Sequence, residues 1–157
     1  MLAKTDRNGA TTCYDYDGKT GNVVAIHDPE GNNWNFEYND DGYETKFTHP
    51  AGAAVVKEYD ERGALVKSTD PLGATTEYKY DSRGLIQRII LPDGRAWNYK
   101  YDIHGFLSQC ADETGAYNER YRHDFTGCLV EIHSATGLRT NREYDLEGRL
   151  IKQSDDE

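Results

Sequence analysis

Asp15 and Asp17, two residues apart and just ahead of Gly18, have the spacing with which a calcium loop begins its set of carboxylate ligands. Such a loop closes on a bidentate glutamate at its twelfth position, and counted from Asp15 that residue is Ile26. Capping of a tight turn by its own aspartate accounts for the pair without an ion. The histidines His27, His49, His104, His123 and His133 could ligate a metal or carry protons, but no H-E-x-x-H or comparable spacing joins them. Cys13, Cys110 and Cys128 are odd in number, irregularly spaced and without a C-x-x-C pair. That pattern fits buried small side chains rather than a disulfide framework or a metal site. No catalytic residue, metal or cofactor is expected. Trp34, Phe36, Trp97 and Tyr99 carry a different chemistry, since aromatic rings on short β-hairpins can stack on saccharides if a contiguous patch stays uncovered. The competing expectation is that these rings face a core or a neighbouring sheet.

Residues that could do chemistry must be held by something, and composition narrows what. The chain has 157 residues, 36% of them hydrophobic and 29% charged, with 12 tyrosines and 15 glycines. So many aromatics argue against disorder. A net charge of −10 argues against the basic patch that nucleic-acid binding needs and against an anionic membrane surface. No stretch reaches the apolar length of a membrane span, and "MLAKTDRNG" at the N-terminus lacks the apolar centre of a secretory signal peptide. Export by a route that reads no signal peptide stays open.

The glycines are periodic. One series runs Gly21, Gly42, Gly63, Gly84, Gly105, Gly127, Gly148, and a second runs Gly31, Gly52, Gly73, Gly94, Gly115, Gly137. The period is 21 with one slip to 22 after Gly105, and Gly9 closes an earlier, truncated repeat. The first series ends Asp-x-x-Gly turns that begin at Asp60, Asp81, Asp102, Asp124 and Asp145, with Asn39 substituting once and Asp17 carrying one extra residue. The second ends Asp-Pro-x-Gly turns at Asp28-Pro29 and Asp70-Pro71, degraded elsewhere to "HPAG", "LPDG", "DETG" and "SATG". Aspartate at the first position, proline at the second and glycine at the fourth predict a type I turn followed by a left-handed residue, which is a three-residue hairpin loop with a bulge.

Between turns, Trp34/Phe36/Tyr38, Thr76/Tyr78/Tyr80 and Trp97/Tyr99/Tyr101 alternate with Asn35/Glu37, Glu77/Lys79 and Asn98/Lys100, giving one aromatic and one wet face. After the Asp-x-x-Gly turn the apolar positions are the second (Val23, Leu65, Ile86, Leu107, Leu129, Leu150) and often the fifth (Ile26, Phe47, Ile89, Cys110, Ile132). Their parities differ, so a bulge, a strong twist or burial on both sides is required. The expected fold is all-β, a single domain over 1–157 of tandem 21-residue β-hairpin repeats. About fourteen strands form one long curved antiparallel sheet. Tyr16, Tyr38, Tyr59, Tyr80, Tyr101, His123 and Tyr144 form a ladder on it. Each fully buried ring would contribute at most about 4–6 kcal/mol. A one-faced sheet must also cover that face by curling, by pairing with a second copy or by continuing into more chain.

"YDERGALVKSTDPLG" (Tyr59 to Gly73), "YDSRGLIQRIILPDG" (Tyr80 to Gly94) and "YDLEGRLIKQSDD" resemble the YD repeats of the Rhs and YD-repeat family. The family includes bacterial Rhs polymorphic toxins, shell subunits of insecticidal toxin complexes and teneurins. The resemblance runs from about Thr5 to Ser154, with "YNDDGYETKFTHPAG" and "HDFTGCLVEIHSATG" as degenerate members. It implies a spiral, shell-like β-structure that in the toxins encloses a toxic C-terminal segment. The family's self-cleaving aspartate segment has no match in this sequence, so no catalytic residue carries over.

The expected function is a non-enzymatic structural repeat module, a piece of such a shell. Its partners would be further YD repeats or a C-terminal toxin of the same parent protein, with no nucleic acid and no membrane insertion. Its location would be the bacterial cytoplasm before export by a specialised secretion route, or outside the cell within a larger exported protein. Starting and stopping partway through a repeat suggests a piece of a longer chain. The alternatives are a saccharide- or cell-surface-binding module using Trp34, Phe36, Trp97 and Tyr99, or a module that dimerises through its sheet edges or aromatic face.

Overall fold

A turn every ten or eleven residues leaves room for strands of five or six, and the computed structural model, which describes residues 2–156, is built of little else. Met1 and Glu157, the end residues of the expected 1–157 domain, lie outside the described residues. The chain divides into units Met1–Glu77 and Tyr78–Glu157. The first holds β1 (Leu2–Thr5), β2 (Thr11–Tyr16), β3 (Val23–His27), β4 (Asn33–Tyr38), β5 (Glu44–Thr48), β6 (Ala54–Tyr59) and β7 (Leu65–Thr69). The division falls inside β8 (Thr75–Tyr80). The second unit continues with β9 (Ile86–Ile90), β10 (Ala96–Tyr101), β11 (Leu107–Asp112), β12 (Asn118–His123), β13 (Leu129–His133), β14 (Arg139–Tyr144) and β15 (Leu150–Asp156). Strands neighbour one another in sequence order in a 15-stranded antiparallel sheet. The strand beyond the expected fourteen is β1, supplied by the truncated repeat that Gly9 closes. No helix long and apolar enough to cross a membrane occurs among the described residues.

The two turn classes that differ in sequence share one geometry. In Asp60–Gly63 the Gly63 amide donates to the Asp60 carbonyl at 3.0 Å, and the Asp60 amide donates to the Ala64 carbonyl at 2.9 Å. The Asp60 Oδ1 accepts from the Arg62 and Ala64 amides, both at 2.9 Å. In Asp70–Gly73 the Asp70 Oδ1 accepts from Leu72 and Ala74 in the same way, at 2.9 and 2.8 Å. Every glycine of the two series has φ between 74° and 91°, a region that side chains with a Cβ rarely enter. Asp112 to Tyr117 closes with one residue more than Asp70 to Ala74, and this loop absorbs the slip to a 22-residue spacing.

The parity puzzle has a definite answer. On β4 and β5, Glu37 faces Lys46 but Tyr38 faces Glu44, so one extra residue bulges from β5. The same shift falls between Asp15 and Tyr16, Glu58 and Tyr59, Lys100 and Tyr101, Arg122 and His123, and Glu143 and Tyr144. A bulge resets the pleat. The second residue after the glycine therefore lies opposite the ladder residue, as Leu107 does to Tyr101. The fifth lies opposite the preceding aromatic, as Cys110 does to Tyr99. Both apolar positions thus share the aromatic face.

Most of that face is half-buried, with Tyr16 and Leu150 more exposed. The buried apolar residues, the small Ala25 and Ala96, lie on the opposite face with Asn35 and Asn98, and no large side chain among the described residues is fully buried. The rings therefore fall short of the full-burial contribution expected of them. The accessible surface is 10774 Å². A chain of this mass folded around one core would expose about 8,000 Å², and two half-size bodies about 9,600 Å².

Candidate functional site: the aromatic face and its inter-repeat ties

A bulge interrupts the ladder of hydrogen bonds and leaves a backbone acceptor to be satisfied. The ladder tyrosines do this. Tyr38 Oη donates to the Val23 carbonyl at 2.8 Å and Tyr59 Oη to that of Glu44 at 2.8 Å. Tyr101 donates to Ile86 and Tyr144 to Leu129, each at 2.9 Å. Each acceptor lies fifteen residues earlier, at the bulge of the preceding repeat. Burial pushes the Tyr38 and Tyr101 phenols up from their usual value, which keeps the donor hydrogen in place. His123 has no hydroxyl, and its ring instead tilts against Phe106 at 5.2 Å. Tyr80 ends β8 with the same half-buried character, and Tyr16, ending β2, is 39% exposed. The ladder is thus tied by hydroxyls to backbone, with rings packed on other partners, as Tyr59 stacks on Tyr43 at 5.1 Å.

A second tie crosses the turn ends. A Cβ added to Gly63 would collide with the Tyr43 ring, and one added to Gly127 would lie 2.7 Å from Phe106 Cζ. The residue that follows one turn glycine therefore leans over the next turn glycine, twenty or twenty-one positions on. Glycine is required there for space as well as for φ. Periodicity marks these glycines, but only the structure shows what covers them.

On the wet face, Glu131 is 6% exposed and receives Arg122 Nε at 2.7 Å, Arg139 Nε at 2.8 Å and the His133 ring. The Arg122 hydrogen bond leads in holding its carboxyl down at about 2, against the opposing cost of burial. No sequence signal singles out this residue, because its repeat position carries Lys46, Lys67 or Lys152 elsewhere. At the other end of the chain His27 Nε2 meets Asp15 Oδ2 at 2.9 Å, and Nδ1 meets Asn33 Oδ1 at 2.6 Å. Two acceptors favour the doubly protonated ring, and Asp15, ahead of Asn33, raises the His27 pKa. Asp17 caps its turn by accepting from the Lys19 and Thr20 amides at 2.9 and 2.7 Å, the role expected in place of calcium binding. Among the described residues no group of three or more His, Cys, Asp or Glu could hold a metal ion.

The saccharide candidates are half-buried. Trp34 meets His49 edge-on at 6.3 Å and Phe36 meets Phe47 at 5.3 Å in one unit. In the other, Trp97 meets Tyr117 edge-on at 5.1 Å. Trp97 borders a cavity of about 360 Å³ lined also by Asp93, Arg95, Asp112, Glu113 and Thr114, while Tyr99 does not line it.

The family described as RHS Repeat matches residues 59–96. Residues 59–96 thus carry an RHS Repeat. Among solved structures, the fold of these repeats is similar to that of the Photorhabdus luminescens Tc holotoxin pore with a mutated TccC3 component, at a TM-score of 0.74 and 17% identity over 93% of this chain. It is also similar to TcdB2-TccC3-Cdc42, at 0.76, and to TcdB2-TccC3 without its hypervariable C-terminal region, at 0.74, each with 16% identity over 94% of this chain. This chain spans 9% of the length of each of the matched chains. No curated protein matches it.

Proposed function

We propose that this chain is a non-enzymatic structural module, a stretch of the sheet from which an Rhs/YD-repeat shell is built, and that the shell encloses a C-terminal toxin segment of the same parent protein. The observation that carries this reading is a half-buried aromatic face on a sheet in which no large apolar side chain among the described residues is buried, joined repeat to repeat by ties that any added repeat would continue. Such a sheet gains by being part of a larger surface. The turn aspartates and glycines and the ladder tyrosines are structural in this reading. Its partners are further repeats and the enclosed segment. Its place is the bacterial cytoplasm before export, and the outside of the cell afterwards. Blotting source-cell lysate with antibody against these residues tests the reading. A band far above 17.8 kDa is expected, with the segment beyond the repeats resisting protease until the repeats are unfolded. A band at 17.8 kDa would overturn it.

A second reading has one observation in its favour, the cavity beside Trp97. An indole wall with Asp93, Asp112 and Arg95 around it matches the mixed stacking and hydrogen-bonding needs of a sugar ring. Titration with a broad panel of oligosaccharides, read by tryptophan fluorescence, decides it. A saturable response lost in Trp97→Ala supports binding, and no response across the panel removes the reading.

A further inference from the structure

The turns that join even to odd strands have a second position that points away from the sheet and that the fold leaves free, since a type I turn accepts most residues there. In residues 1–77 that position holds Gly18, Asp40 and Glu61, and the next turn holds Ser82. The three turns that follow hold Ile103, Phe125 and Leu146. Ile103 is 90% exposed, Phe125 95%, and Leu146 fully. Nothing in the turn geometry calls for an apolar side chain, because each turn is closed by Asp102, Asp124 or Asp145 through backbone amides. Three in succession, all within one unit and at the same end of its strands, form a row. Phe106 and Cys128 lie half-buried beside it. A row of exposed apolar side chains with no structural account marks an interaction surface.

We propose that Ile103, Phe125 and Leu146 form a docking row for an amphipathic, basic helical segment of a partner protein. Spacing and charge both lead there, and the proposal goes beyond the reading of the chain as a shell segment. Successive turns of this class are two strands apart, about 10 Å. Residues seven apart on an α-helix rise about 10 Å, so one apolar side chain per heptad meets one turn of the sheet. Arg149 is engaged by Asp145 and Glu147 at one end of the row, and beside the other two side chains stand Asp102 and Asp124. Lysine or arginine on the flanks of the helix would meet those carboxylates. The same carboxylates make a lipid surface a poor occupant, since inserting the tips would carry them into the headgroups. They also repel a second copy of a chain whose net charge is −10.

The test uses the whole chain and a fluorescent synthetic helix with leucine at every seventh position over three heptads and lysine on either side. Saturable binding is expected, weakened about tenfold or more in the Ile103→Ser, Phe125→Ser, Leu146→Ser triple variant, whose circular dichroism should match that of the parent. Leu72→Ser removes an equally exposed side chain from the other turn class and should bind like the parent. The single variants Ile103→Ser and Leu146→Ser each weaken binding and serve if the triple variant misfolds. Equal binding by the triple variant, or equal binding of a peptide with leucine at every fifth position, overturns the proposal. So does a row whose three side chains govern binding to phosphatidylcholine vesicles, or self-association in sedimentation, in place of peptide binding.

Discussion

Tyr101 and Gly63 show how much a single atom can matter in a sheet without a deep core. Tyr101→Phe keeps the ring and removes only the hydroxyl that satisfies the Ile86 carbonyl. It should cost about 1 kcal/mol, read as a lower urea midpoint at unchanged slope, and Tyr144→Phe should behave alike through Leu129. Gly73→Ala meets nothing within 4 Å and is penalised only by its φ of 85°, about 1 kcal/mol. Gly63→Ala bears that cost and must also displace the Tyr43 ring, so it should be the more destabilising of the two in the same assay. The sequence makes these glycines and tyrosines conspicuous through spacing alone. It does not reveal that the tyrosine hydroxyl is the working part, because an aromatic in a period-two pattern reads equally well as ring packing. Nor does it separate Gly63 from Gly73, because the contact that distinguishes them is made by a residue twenty positions upstream.

At the scale of turns and strands, hydrogen-bonded carboxylates do the closing. Backbone amides, that of Ala64 foremost, hold the Asp60 carboxyl below its usual 3.8, and the Leu85 amide does the same for Asp81. A group with a depressed folded pKa contributes stability that is present above the unfolded value and lost as pH falls through the folded one. The turns should therefore loosen below about pH 3.8, as seen by earlier hydrogen exchange of the Gly63 and Gly84 amides. Glu131 follows the same sign over a wider window, from its ordinary 4.5 down to about 2. Glu131→Gln leaves Arg122 and Arg139 facing a neutral acceptor. Both are about half-exposed, so the loss should be about 1–2 kcal/mol by chemical denaturation, well short of a fully buried pair. Turn positions were legible in the sequence, since Asp, Pro and Gly fix φ locally, and so was the misfit of Leu107 and Cys110 on a flat strand, but the choice of a bulge over a strong twist or burial on both sides was made only by the pairing register. Glu131 was not legible. Its partners come from three strands, and only pairing register brings them to one carboxylate.

For the molecule as a whole, pH acts from two sides. His27 gains affinity for its proton on folding, so its contribution is fully present below the unfolded value near 6.5 and is lost as pH rises through the raised folded value. The turn carboxylates lose theirs below 3.8. Thermal midpoints should accordingly be highest between about pH 4 and 6, and His27→Gln should flatten the alkaline side of that profile while leaving the acid side unchanged. A profile that rises steadily to pH 8 would contradict this assignment.

The tyrosine tie also has a direction. Each hydroxyl reaches back to a carbonyl made earlier, never forward to one still to come. A chain emerging from the ribosome can therefore lock each repeat as soon as the following tyrosine appears, without waiting for anything downstream. Order in such an array would advance from the N-terminus one clasp at a time, over sequence separations short enough to keep closure fast. A growing sheet of this kind would leave only its newest edge unfastened at any moment of its synthesis.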